Sequence, residues 1–281
     1  MILRLVKINI KQSLRDFIAL LIIISIMIFI SCLSLFLTNE VSQYVQVISF
    51  GDYFYNLLYG MRVYKYNPYN PFIFPALWLV VIFSLLYIPL HCFSISRTAL
   101  PILILIYSHS RYTYATAHVI TAFVHLIISY AVIILTIMVF TLTTGGELDV
   151  FTTELANYAF VYNIPYHDRA CISLLPYIVA VPILLMPYIL IELGLTELKN
   201  IHLGFLSNVV ILFSTTYFCE PYLIGNYLML NRFESFKDQN LSLEIGLLIS
   251  IVLIVVIFLL TLFFFEHKDI YTDIKENHGS S

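Results

Sequence analysis

The chain has 281 residues, 60% of them hydrophobic and only 11% charged, with a formal net charge of −3. A soluble domain carries roughly 25% charged residues, so composition alone excludes a water-soluble globule. With nine glycines and no G-x-x-x-x-G-K-S/T run, it also lacks a phosphate-cradling loop, so any nucleotide energy would have to come from another chain.

Six intervals of 20 residues or more contain no Asp, Glu, Lys or Arg: 17–39, 66–96, 112–146, 170–191, 200–219 and 245–265. About 20 apolar residues of α-helix cross a hydrocarbon layer of about 30 Å. The expected fold is therefore all-α and polytopic, with spans at about 17–37, 72–93, 116–142, 171–193, 202–218 and 245–265 in a bundle covering 17–270.

Ahead of the first span, Arg4, Lys7, Lys11 and Arg15 recur every three to four residues and share one helical face. Residues 1–16 thus read as an amphipathic elbow helix lying on an anionic membrane surface. The positive-inside rule puts the N-terminus in the cytoplasm, and six crossings return the tail 271–281 to the same side of the cell membrane. The apolar run 17–37 is too long for the core of a cleaved signal peptide.

The segment after span 1 holds seven tyrosines between 38 and 70, read as an interfacial belt or as a lid over a portal. Span 2 contains Trp78 near its outer end. Span 3 carries His118 and His125, seven residues apart and so on one face; packing or a proton role both fit. Pro176, Pro182 and Pro187 punctuate span 4, where they read as a hinge, a cavity wall or a merely curved packing helix. Glu192 closes that span beside Glu197 and Lys199 and reads as a solvated inner end. Between spans 5 and 6, Tyr222–Leu230 is apolar but too short to cross, which predicts a short re-entrant or interfacial helix at the outer face.

Cys32, Cys92, Cys171 and Cys219 have no metal-ligand spacing, and no metal is expected. Cys171 and Cys219 share the outer side and could oxidise, although buried thiols are the simpler reading. Without a carboxylate pair, Ser/His/Asp set or H-E-x-x-H, no catalytic residue is expected in this chain.

The interval 98–110 is too short to cross and too apolar to remain in water, so it must dock on something. Arg97 and Arg111 bracket it. The run from Arg97 through Thr98, Ala99, Leu100, Pro101, Ile102, Leu103, Ile104, Leu105 and Ile106 to Tyr107-Ser108-His109-Ser110-Arg111 resembles the first cytoplasmic loop of ABC-2-type transporter permeases. Phe50-Gly51-Asp52-Tyr53-Phe54, Phe74-Pro75-Ala76-Leu77-Trp78-Leu79 and the close Phe265-Glu266-His267-Lys268-Asp269-Ile270 are similar to patterns of Gram-positive peptide and drug exporters of that family. One departure is Thr98-Ala99, where the family's loop begins with smaller or Gly-containing residues.

The resemblance implies a permease subunit paired with an identical or related second permease. Each would seat a separate ATP-binding subunit that holds ATP and magnesium. The coupling helix would be Arg97, Thr98, Ala99, Leu100, Pro101, Ile102, Leu103, Leu105, Ile106 and Arg111, with its apolar side chains in an ATPase groove and its arginines on acidic rims or lipid phosphates. Spans rich in Phe, Tyr, Ile and Leu suit a hydrophobic peptide, lipid or amphiphilic drug; the cargo-binding residues are not legible and no nucleic-acid partner is expected. Two other classes stay open: an ion-coupled carrier or channel, and a non-transport assembly factor or sensor.

Overall fold

The computed structural model describes residues 1–42, 45–61, 63–64, 72, 74–99, 111–153, 155, 173–198, 201–233 and 241–267. Its helices are α1 (Ile2–Ser42), α2 (Phe50–Leu58), α3 (Ala76–Ala99), α4 (Arg111–Thr143), α5 (Leu175–Leu198), α6 (Ile201–Tyr217) and α7 (Leu243–His267), with 3₁₀ turns at Ile224–Leu228 and Leu230–Arg232. No named strand occurs among the described residues. The chain has the architecture of an all-helical membrane protein.

Five helices, α1, α3, α4, α5 and α7, are long and apolar enough to cross a membrane. The expected fifth span, 202–218, forms α6, whose 17 residues reach about 25 Å at 1.5 Å per residue, the lower edge of the spanning range. α4 packs along α1 and α3, while α5 packs between α6 and α7. We call the end of the bundle that holds residue 1 the near end and the opposite end the far end.

The near end departs from the expected elbow. Residues 2–42 form one helix of 41 residues, about 60 Å long, twice the hydrocarbon thickness. No Gly or Pro interrupts this run. The buried stripe Leu5, Val6, Asn9, Ser13 and Phe17 continues into Ile24, Ile28 and Cys32, so one face stays in the core throughout. Residues 1–16 are therefore not set apart from span 1. Arg4, Lys7, Lys11 and Arg15 do share an exposed face, as their spacing predicts. Behind them, Leu5 and Val6 join Tyr114, Ala115 and Ala117 of α4 in a small second core.

The far end is closed by loops that fold inward. Ser49 and Asp52 form a reciprocal capping box at the start of α2. Gly60, at φ 68°, supplies the left-handed turn that ends that helix. The stretch after α4 pairs with it: Phe50 N donates to Glu147 O and Gly51 N to Asp149 O, both at 2.9 Å. A Cβ on Gly51 would lie 2.3 Å from Phe151 O, which explains why the Gly-Asp-Tyr run needs its glycine. Asp52 accepts from Thr153 N at 2.8 Å and Thr153 Oγ1 at 2.7 Å, tying the two segments together.

Two of the seven tyrosines depart from the belt reading. Tyr53 and Tyr55 are buried in the main core rather than at an interface, and Tyr53 meets Phe140 edge-on at 5.3 Å. Trp78 is likewise buried and donates from Nε1 to Leu228 O at 2.9 Å.

Candidate functional site

Three groups of polar side chains stand out: one organises the far end, and two lie inside the bundle. The first centres on Arg232. After α6, the chain returns as two consecutive 3₁₀ turns rather than one helix, and every residue from Ile224 to Phe233 is buried. Gly225 admits Thr215, whose Oγ1 would lie 2.6 Å from any Cβ there. This seats the fully buried Arg232 guanidinium at the C-terminus of α6. It donates to Thr215 O at 2.5 Å, Thr216 O at 2.8 Å, Met61 O at 3.0 Å and Asn226 Oδ1. The last carbonyls of a helix lack intrahelical partners and carry partial negative charge, so a cation is stabilised there. Burial pulls Arg232 down to about 10, with Cys219 opposing, so it stays charged at neutral pH. The arrangement is a structural clamp whose donors are engaged by protein oxygens.

The carboxyl of Asp52, at the same end, is raised by burial from its ordinary 3.8, against the hydrogen bonds from Thr153 and Ser49 that favour the anion. Cys219 is a half-buried thiol raised by desolvation, an effect that Arg232 partly offsets. Cys171, its suggested partner, lies outside the described residues.

The second group is a polar seam between α1 and α4. His118 and His125 are both buried, confirming that they share an inward face. His118 meets Tyr114 at 4.3 Å and Phe93 at 5.0 Å, both edge-on. His125 lies 4.5 Å from Phe17, and its Nε2 is 3.3 Å from Ser13 Oγ. Asn9, one turn before Ser13, is buried with neither amide atom bonded to protein, and His125 Nδ1 is likewise without a protein partner. The seam can hold water or polarise a bound group. Two-turn spacing made the histidines legible, but Asn9 and Ser13 carried no signal in an otherwise apolar-and-basic helix.

The third group corrects the reading of Glu192 as solvated. Its side chain is 1% exposed. Gly204 on α6 is the cause: a Cβ there would lie 2.7 Å from Glu192 O and 2.4 Å from Thr196 Oγ1. With only hydrogen at that position, α5 and α6 close on each other and remove the carboxyl from solvent. Asn208, one turn beyond Gly204, places its carboxamide against Glu192 and donates from Nδ2 to Tyr188 O at 3.0 Å.

The expected coupling segment falls mostly outside the described residues. Leu100, Pro101, Ile102, Leu103, Leu105 and Ile106 belong to 100–110, which is not described. Arg97, Thr98 and Ala99 sit in the last turn of α3, and Arg111 opens α4. The tail 271–281 also lies outside the described residues. Among the described residues, no group of three or more His, Cys, Asp or Glu is arranged to hold a metal ion.

No family model, curated protein or solved structure matches the chain. The likeness to ABC-2-type permeases therefore rests on the sequence motifs alone.

Proposed function

We propose that this chain is the membrane-embedded permease subunit of an ATP-driven exporter for a hydrophobic peptide, lipid or amphiphilic drug. A separate subunit would hydrolyse ATP, and a second permease, identical or related, would complete the transport path. The observation that supports the reading is where the described residues on either side of 100–110 lie. α3 ends with Arg97 in its last turn and α4 begins at Arg111. The start of α4 packs on Leu5 and Val6, whose helix presents Arg4, Lys7, Lys11 and Arg15 outward. The described residues that flank this apolar interval thus both lie at the basic end of the bundle. That is where an inner-leaflet anchor and a cytoplasmic partner are both expected.

The test is copurification of the tagged chain with an ATP-binding subunit, sought first among the proteins encoded beside it. Replacing Arg97 and Leu103 together by Glu should abolish the association and the vanadate-sensitive ATP hydrolysis of the complex. Retained association in that double variant would sink the coupling assignment.

One observation favours a second reading, an ion-coupled carrier. The buried carboxyl of Glu192 lies within a candidate span, where ionisable groups are costly and usually functional. Transport that persists without ATP and collapses when the proton gradient is dissipated would decide for the carrier.

A further inference from the structure

The cations of α1 stand deeper in the bundle than a membrane-surface helix would place them. Leu5 and Val6 pack with Tyr114, Ala115 and Ala117 of α4, and Leu262 of α7 packs against the same cluster. Ser13 and Phe17 then meet His125, so α1 and α4 stay in step over this stretch. α7 runs the length of the bundle, from Gly246 against Tyr227 at the far end to Leu262 at the near end. α3 does the same, from Trp78 on Leu228 to Phe93 on His118. Residues 245–265 and 66–96 are free of charge, so these two helices set the apolar depth of the bundle.

At 1.5 Å per residue, Lys11 lies about 9 Å and Arg15 about 15 Å beyond the level of Leu5, towards the far end. The same steps back from Leu262 along α7 reach Val256 and Val252, both exposed. Where α7 turns valine to its surroundings, α1 turns an exposed lysine and arginine. The charge-free run of α1 begins only at Phe17, about 22 Å deeper than the near end of the α7 run at Phe265. Snorkelling carries Lys7 to the near surface. Arg15 starts about 20 Å from that edge, past the middle of a hydrocarbon layer of about 30 Å. A charge at such depth needs water or a polar group against it. Asp16 is the only carboxylate of α1 before Glu40, so the stripe stays net positive.

Beyond Arg15 the same helical line continues as Ile18, Ile22, Ile26 and Phe29, all exposed. We propose that this face of α1 binds an anionic phospholipid of the near-side leaflet, drawn below the ordinary headgroup level. Its phosphate sits on Lys11 and Arg15, one helical turn apart, and its acyl chains lie along Ile18 to Phe29. The two halves of the ligand match the two halves of the stripe. A soluble acidic partner would match the cations alone, and a second copy meeting this face across a two-fold axis would set cations against cations. Lipid binding needs no ATPase, so the inference stands or falls separately from the exporter reading.

Two measurements on the full chain test it. For depth, spin labels are placed one at a time at Leu14→Cys, Val252→Cys and Val256→Cys, with the native cysteines replaced by serine. In phosphatidylglycerol vesicles the Leu14 label, beside Lys11 and Arg15, should be reached by a water-soluble nickel relaxant, and the two α7 labels by oxygen alone. For the ligand, native mass spectrometry should show phosphatidylglycerol retained in preference to phosphatidylcholine. Lys11→Gln with Arg15→Gln should weaken that retention by about 30-fold, and Lys11→Arg should leave it unchanged.

Four results would overturn the proposal. Oxygen-only access at Leu14 would show acyl chains where the headgroup belongs. Nickel access at all three sites would put the near half of α7 outside the hydrocarbon. Undiminished phosphatidylglycerol retention in the double variant would remove the cations from the binding. Strong dipolar coupling between Leu14 labels of two chains would give the face to a second copy.

Discussion

Arg232 shows how much one side chain can organise when it is buried with its partners. It closes α6 by taking carbonyls that the helix cannot satisfy, and it ties them to Met61 and Asn226. Arg232→Met leaves three buried backbone acceptors without a charged donor, at about 1–3 kcal/mol each. A loss of at least about 3 kcal/mol is expected in detergent-solubilised unfolding, with Arg232→Lys recovering part of it because a lysine keeps the charge but not the planar fork. Gly51→Ala should cost about 1–3 kcal/mol in the same assay, since its Cβ meets backbone that cannot rotate away. Gly225→Ala should cost less, because the obstacle there is the Thr215 side chain, which can change rotamer.

Asp52 adds a pH signature at the same scale. Its carboxyl is raised by burial, so the folded protein takes up this proton before the unfolded chain does as pH falls. Its contribution is fully present below the ordinary value of 3.8 and declines as pH rises from there through the folded value. Relative to Asp52→Asn, the wild type should gain melting temperature as pH drops from neutrality towards that window. A difference that is flat with pH would contradict the shift.

At the scale of elements, α1 separates two pictures that the basic stripe alone cannot. An elbow helix lying on the membrane and a straight extension of span 1 present the same exposed cations. Continuity follows from the unbroken buried stripe and from the core that Leu5 and Val6 share with α4. Spin labels at Lys7 and Ile22, both exposed, should give a narrow distance near 22 Å, the rise of 15 helical residues. Leu14→Pro should broaden that distribution and cost about 3 kcal/mol. A broad distribution in the parent protein would restore the elbow. α2 makes a related point in reverse: its tyrosines read as a belt because tyrosine favours interfaces, yet the glycine and the capping box fold it beneath the far-end loops.

For the whole molecule, the number of crossings depends on α6. A membrane-impermeant maleimide applied to intact cells should label Tyr222→Cys but reach Lys7→Cys and His202→Cys only after permeabilisation. The native cysteines are first replaced by serine. That pattern places six crossings in the membrane with the near end inside. Equal labelling of His202→Cys and Tyr222→Cys would leave α6 folded on one side and five crossings.

Helix identity, the approximate span positions and the basic face of α1 were readable from the residues, because they follow from hydropathy and from a period of 3.6. The shared face of His118 and His125 was readable for the same reason. The sequence determined which segments must leave water and where the cations lie. Tertiary structure decided what becomes of the polar residues among them. Glu192 is buried, not solvated, because Gly204 lets a second helix approach; Arg232 becomes a clamp because α6 ends where the returning 3₁₀ turns can offer it. Local pattern measures each residue's own preference for water, whereas the satisfaction of a buried charge depends on which distant backbone or side chain the fold brings to it.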